Sequence, residues 1–207
     1  MSDGNVTENH TGNVAGKGWP GLILPYQGIW PKIHPDAFIA PNAVIIGDVE
    51  IGAGTGIWFN CVLRGDMNPI RVGESTNIQD GTIIHIDSRT HPTIIGNNIT
   101  VGHMCLLHAC TLEDDSMVGM QSTVMDGAVI ESGALVAAQS LIPPGKKVKK
   151  GSLWAGSPAK RLRDVGDRQR DMINYIAPTY VKLAREYVGA GQDLRLDRAN
   201  PDNQDNG

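Results

Sequence analysis

Ile33, Ile39, Ile45, Ile51, Ile57 and Leu63 stand six residues apart, and Leu112, Val118, Val124, Ile130, Val136 and Ile142 repeat that spacing. Four places after each, the residue is small or short in nearly every case. The first run has Ala37, Ala43, Val49, Thr55 and Cys61; the second has Ser116, Ser122, Ala128, Ala134 and Ser140. A fixed short period marks a solenoid, and one aliphatic plus one small residue in six marks a rung of a parallel β-helix. The branched aliphatic points inward, the chain turns a corner near the small residue, and the backbone pairs with the rungs above and below. Three rungs make one coil of a triangular prism.

Between the two clean runs the period continues with interruptions. Val72, Ile78 and Ile84 form one coil after a three-residue insertion around Asp66 to Pro69, and Ile95, Val101 and Leu107 form the next. Ile84 and Ile95 are eleven apart. No aliphatic stands where a rung needs one, and the segment Ser88-Arg89-Thr90-His91-Pro92 ends in proline, so it reads as a loop bulging from the prism.

This register stacks polar groups into columns. Leu63, Ile84 and Leu107 begin the same face, so Arg64, His85 and His108 occupy one position on successive coils, about 4.8 Å apart. Ile78 and Val101 begin another face, which puts Asp80 beside His103. Two imidazoles one coil apart can share a zinc ion, with nitrogens about 2.0–2.1 Å from the metal. His103 is five residues before His108 on an extended chain, a span of up to roughly 15 Å. One chain cannot easily bring all three together, so the third ligand is expected from a neighbouring copy, and threefold cyclic symmetry suits a triangular prism.

The hexapeptide pattern resembles the left-handed β-helix family, and that resemblance supplies the handedness, since parallel crossovers are otherwise normally right-handed. The expected fold is a left-handed parallel β-helix of hexapeptide repeats, about six coils long, with a C-terminal α-helix packed along it. The strings Leu63-Arg64-Gly65-Asp66, Thr76-Asn77-Ile78-Gln79-Asp80-Gly81, Ile84-His85, Val101-Gly102-His103 and Leu107-His108-Ala109-Cys110 resemble the γ-class carbonic anhydrase family and its γ-carbonic-anhydrase-like relatives. The likeness covers about Ile29 to Arg163.

The resemblance implies a homotrimer holding Zn2+, Fe2+ or Co2+ between subunits, with His85 and His108 from one copy and His103 from the next. It implies reversible hydration of CO2 to bicarbonate by metal-bound hydroxide. Gln79 and Asn77 would orient substrate, Arg64 and Asp66 would pair across subunits and shape the pocket, and Asp80 would support a ligand. Tyr180 would align with a tyrosine of the family's terminal helix. Active members carry an acidic residue after Arg-Gly-Asp and a long acidic loop that moves protons. Here Met67 takes the first place, and the loop has only Asp87. Two other outcomes share the scaffold: a metal-holding assembly subunit without turnover, and a hexapeptide-repeat acyltransferase using one histidine as general base.

The net charge of −4 and pI of about 5.8 argue against a nucleic-acid partner, which would show a basic face. The one basic run, Lys146-Lys147-Val148-Lys149-Lys150, reads as a solvated turn. Cys61, Cys105 and Cys110 are an odd set with no disulfide framework; the first two fall at small inward positions. No signal peptide or apolar span is evident, so a cytoplasmic, membrane-free protein is expected. His34 and His91 read as exposed loop residues.

Residues 1–20 are polar and aperiodic, which predicts a disordered tail. Residues 21–163 make the β-helix domain, opening with a lead-in strand or cap from Leu22 to Trp30. Residues 164–190 predict a helix with Ile173, Ile176, Tyr180, Ala184 and Tyr187 on one face, kinked or broken at Pro178. Residues 191–207 are again polar and predict a loose tail.

Overall fold

The computed structural model describes residues 21–87 and 91–198, with side chains through residue 189. The predicted tail at 1–20 and the loop residues Ser88 to Thr90 lie outside them. The chain is a left-handed parallel β-helix. One face carries seven stacked parallel rungs whose inward residues are Ile39, Ile57, Ile78, Val101, Val118, Val136 and Trp154, one more turn than the clean repeats suggest. A second face stacks Ile33, Ile51, Val72, Ile95, Leu112, Ile130 and Val148. The third stacks Ile45, Leu63, Ile84, Leu107, Val124 and Ile142. These are called face two, face one and face three below, in the order in which Ile33, Ile39 and Ile45 open them.

Most of these aliphatics are fully buried, each worth roughly 1.5–3 kcal/mol relative to exposure. The small residues four places on are buried too, and several do more than fill space. The Thr55 hydroxyl donates to the Gly73 carbonyl (2.6 Å) and accepts from the Thr76 amide (3.1 Å). Thr76 repeats this with Gly96 and Ile99 (2.9 and 3.0 Å), and Thr82 with Gly102 and Cys105 (3.1 Å each). These threads satisfy corner backbone groups that the rungs cannot pair. The bend itself falls one residue earlier, at positions such as Asn60, Gly81, Gln121 and Gly127, all with positive φ. Asparagine and glycine tolerate that conformation best.

Leu22–Leu24 pairs in parallel with Val44, Ile45 and Ile46 and so starts face three. At the other end Ser152–Gly156 continues face two, and Ala159–Asp164 folds back antiparallel on it. The helix Asp167–Arg198 then climbs face two. It runs past residue 190, where the sequence pattern ended it, and Pro178 does not break it. Ile173, Ala177 and Ala184 are buried, and Tyr180 and Tyr187 set their rings edge-on to Trp58 at 5.2 and 5.4 Å. This docked stripe outweighs the one hydrogen bond that proline removes. Next to the proline, the Thr179 hydroxyl donates to the Tyr175 carbonyl at 2.7 Å. Among the described residues no helix is long and apolar enough to cross a membrane.

The interruptions all lie between face three and face one. In the strand Val62–Val72, Gly65 pairs with Gly47 but Ile70 pairs with Val49, so three extra residues bulge at 66–69. Ile84 on face three is followed by Ile95 on face one, and among the described residues between His85 and Thr93, Ile86, Asp87, His91 and Pro92 belong to no strand. The Asp87 amide donates to the His91 carbonyl at 3.3 Å. From Leu107 to Leu112 the chain comes one residue short, and Ala109 turns that corner with φ 49°.

Candidate metal centre

The register puts His85 directly beside His108 on adjacent rungs of face three. The rings tilt by 56°, and His85 Nδ1 lies 3.3 Å from His108 Nε2. Each ring's other nitrogen meets a carboxylate: His85 Nε2 is 3.1 Å from Asp66 Oδ1, and His108 Nδ1 is 2.6 Å from Asp126 Oδ1. The tautomers that satisfy both carboxylates put the ring protons there, leaving the two facing nitrogens as lone pairs.

Two lone pairs at this distance repel unless a cation lies between them. Nitrogens bound tetrahedrally to zinc at about 2.0–2.1 Å stand about 3.3–3.4 Å apart. The donor set therefore fits a divalent ion of that kind, and the carboxylates behind the rings are the usual outer support of such ligands.

The three-residue bulge delivers Asp66. Its other oxygen is ion-paired with Arg64 Nη1 of the same chain. Partial burial pushes the Asp66 carboxyl up, but hydrogen bonds from His85 and Arg64 outweigh it and hold the group below the usual carboxylate range.

His103 lies on the corner between faces two and three, with Asp80 on the rung before it. Its Nδ1 is 2.8 Å from Asp80 Oδ2, which leaves Nε2 available. Among the described residues, no three His, Cys, Asp or Glu side chains of one chain converge on a point.

Asn77 and Gln79 lie buried on the outer side of face two, where the helix packs. The Asn77 amide donates to Thr100 Oγ1 (2.9 Å) and the Ile99 carbonyl (3.3 Å), and Gln79 Nε2 donates to Asn77 Oδ1 (3.1 Å). Asn77 is thus tied into a ladder between rungs, while Gln79 keeps its carbonyl oxygen. Tyr180 belongs to the same side. Burial and the negative charge of nearby Asp80 raise its phenol above the ordinary range.

The structure therefore gathers Arg64, Asp66, His85 and His108 at one prism edge, and Asn77, Gln79, Asp80, His103 and Tyr180 at another. It adds Asp126, which the sequence reading missed. The signal was available: face three continues one rung beyond Leu107-His108 as Val124-Met125-Asp126.

The six-residue period and the three stacked faces define a hexapeptide-repeat protein. The family "Bacterial transferase hexapeptide (six repeats)" matches residues 31–65. Gamma carbonic anhydrase 2, mitochondrial, from Arabidopsis thaliana is 47% identical over 178 residues, covering 82% of this chain and 64% of that protein. The chain thus spans somewhat less than two thirds of the length of that plant relative. A carbonic anhydrase from Geobacillus kaustophilus is 46% identical over 172 residues, covering 83% of this chain and 90% of its own. A solved hexapeptide transferase family protein from Anaplasma phagocytophilum superposes with a TM-score of 0.77 at 49% identity, covering 80% of this chain and 98% of that one. By these identities the chain belongs to the γ-carbonic anhydrase family.

Proposed function

We propose that this chain is a metal-dependent carbonic anhydrase, interconverting CO2 and bicarbonate at sites shared between the subunits of a homotrimer. The observation that carries the reading is the pair of carboxylate-backed imidazoles whose other ring nitrogens face each other at 3.3 Å. His85 and His108 would hold the ion, with Nε2 of His103 from a neighbouring copy as third ligand. Zinc suits three nitrogens, and iron or cobalt would accept them too. The bound ion would supply the Lewis acidity that makes water a nucleophile near neutral pH.

The chain's own groups have defined tasks. Asp66, Asp126 and Asp80 each keep a proton on the far nitrogen of one histidine and fix its ring. Arg64 anchors Asp66. Gln79, through its remaining carbonyl oxygen, and Tyr180 would arrive with His103 and line the opposite wall. The trimer is supported by apolar side chains left exposed beside these groups: Ile83 and Leu106 next to the histidine pair, and Met104 next to His103.

The transferase description of the Anaplasma relative keeps an acyltransferase as second reading, which needs only one histidine and no metal. Anaerobic purification, metal analysis and a CO2 hydration assay on one sample separate the two. The expected result is one ion per subunit, measurable hydration, and loss of both in His103→Ala. Metal without hydration would leave an assembly subunit, and a metal-free protein would overturn the reading.

A further inference from the structure

We infer that the C-terminal end of the prism, from Pro143 to Arg170, is a docking surface for an anionic lipid bilayer. The inference does not depend on the carbonic anhydrase reading. It starts from an uneven distribution of charge. Residues 143–170 hold nine of the chain's eighteen Lys and Arg residues against two Asp, whereas residues 21–142 hold four against twelve Asp and Glu. The net charge of −4 therefore conceals a basic end on an acidic prism.

The fold gathers those nine cations at one end. Val148 and Trp154 are the last inward residues of faces one and two, Ala159–Asp164 folds back on the final rung, and the helix begins at Asp167. All nine side chains are exposed. Lys146 Nζ stands 5.2 Å from the centre of the Trp154 ring, a cation over an aromatic face. Lys149, Arg161 and Arg170 pair with Glu131, Asp164 and Asp167 at 3.0, 2.6 and 3.6 Å. Lys147, Lys150, Lys160 and Arg168 form no ion pair among the described residues.

The acidic rungs stand back from this surface. One coil up, Glu131 is taken by Lys149 and Asp126 by His108. Glu113, Asp114 and Asp115 begin the corner two coils up, about 10 Å away, which exceeds a Debye length of about 8 Å at physiological salt. A planar anionic surface meets the basic end alone, while the acidic flanks keep the prism from lying on its side.

Protection of an open strand edge does not account for the charge. Ala159–Asp164 is an edge strand, and basic side chains on it would deter pairing with another chain. The Lys146 to Lys150 run and Arg168 and Arg170 lie off that strand. A bilayer fits better than a polynucleotide. Leu162, 61% exposed, stands between Arg161 and Arg163 on the outermost strand, and an apolar group among cations suits the headgroup boundary. The one aromatic of this end, Trp154, is buried, so no ring is offered for bases to stack on.

The full chain should be sedimented with vesicles of phosphatidylcholine alone and of phosphatidylcholine mixed with phosphatidylglycerol. Binding is expected to the anionic vesicles only, with release at about 0.5 M salt. Lys147→Glu with Lys160→Glu should weaken it about tenfold or more. Lys182→Glu with Arg185→Glu makes the same change in net charge, roughly 20 Å up the helix, and should leave binding within about twofold. Circular dichroism checks that both variants keep the fold. No binding by wild type, equal binding to neutral vesicles, or equal loss in the two variants would overturn the inference. Tighter binding to duplex DNA than to anionic vesicles at the same salt would overturn it in favour of a polynucleotide.

Discussion

From Leu112 to Trp154 the chain advances six residues per face without exception, whereas between Leu63 and Leu112 it breaks step three times. Both stretches bury the same kind of column. In the regular stretch, outward residues such as Val129, Met117 and Thr123 follow the same pairing as the core, and only Asp126 reaches the candidate centre. In the interrupted stretch, every break lies at the edge between face three and face one. The first carries Asp66, the second lies between His85 and His91, and the third follows His108. A β-helix gains stability from unbroken stacking, so departures cost pairing and are retained where they aim side chains that a straight rung would direct elsewhere.

Core and site positions adjacent in the chain should therefore respond in opposite ways. In the metal-free protein, Leu107→Ala should cost about 2–5 kcal/mol, because it leaves a cavity in a fully buried column. His108→Ala, at a partly buried position outside the core, should cost about 1 kcal/mol or less but remove metal binding. Urea denaturation with metal analysis reads both, and equal destabilisation by the two would dissolve the distinction between scaffold and site. The regular stretch should still matter to the centre through one residue. Asp126→Asn should weaken metal affinity about 10–100-fold with little change in stability, measured by competition with a chelator.

Removing Met67, Asn68 and Pro69 restores the uninterrupted spacing against Val44–Ile51. The expected protein keeps its β-sheet circular dichroism and melts within a few degrees of wild type, yet loses the metal, with Asp66 displaced and the Asn68 tether to the Asp87 carbonyl gone. A collapse of the fold would show that the bulge is structural. The smallest effect concerns the cysteines. Burial pushes Cys61 and Cys110 up to about 12 and Cys105 to about 11. Since the thiolate is the reactive form, the folded protein should be inert to a thiol reagent at pH 8, and all three should react once urea unfolds it. Rapid labelling of Cys110 in the native state would mean that the third break opens.

Much of the candidate site was legible in one dimension because a solenoid converts sequence separation into height. The inward aliphatics count the rungs, so the alignments of His85 with His108 and of Asp80 with His103 follow from spacing alone. The same counting located the three-residue bulge before Ile70 and the loop after His85. It did not disclose that the Asn77 amide is consumed by Thr100 and Ile99, or that Arg64 pairs with Asp66 within one chain. Those outcomes depend on side-chain torsions and on what the docked helix covers.

What the amino-acid order determined by itself was the prism, its register and the height of each polar group, because one buried aliphatic per six residues admits a single stacking. Only the tertiary structure decided which carboxylate backs which imidazole, and where the helix runs. Rung counting sets Asp126 one coil beyond His108, but side-chain torsions set the 2.6 Å contact between Asp126 Oδ1 and His108 Nδ1, and packing against Trp58 carries the helix through Pro178. Both are short-range contacts whose geometry chain spacing alone does not fix.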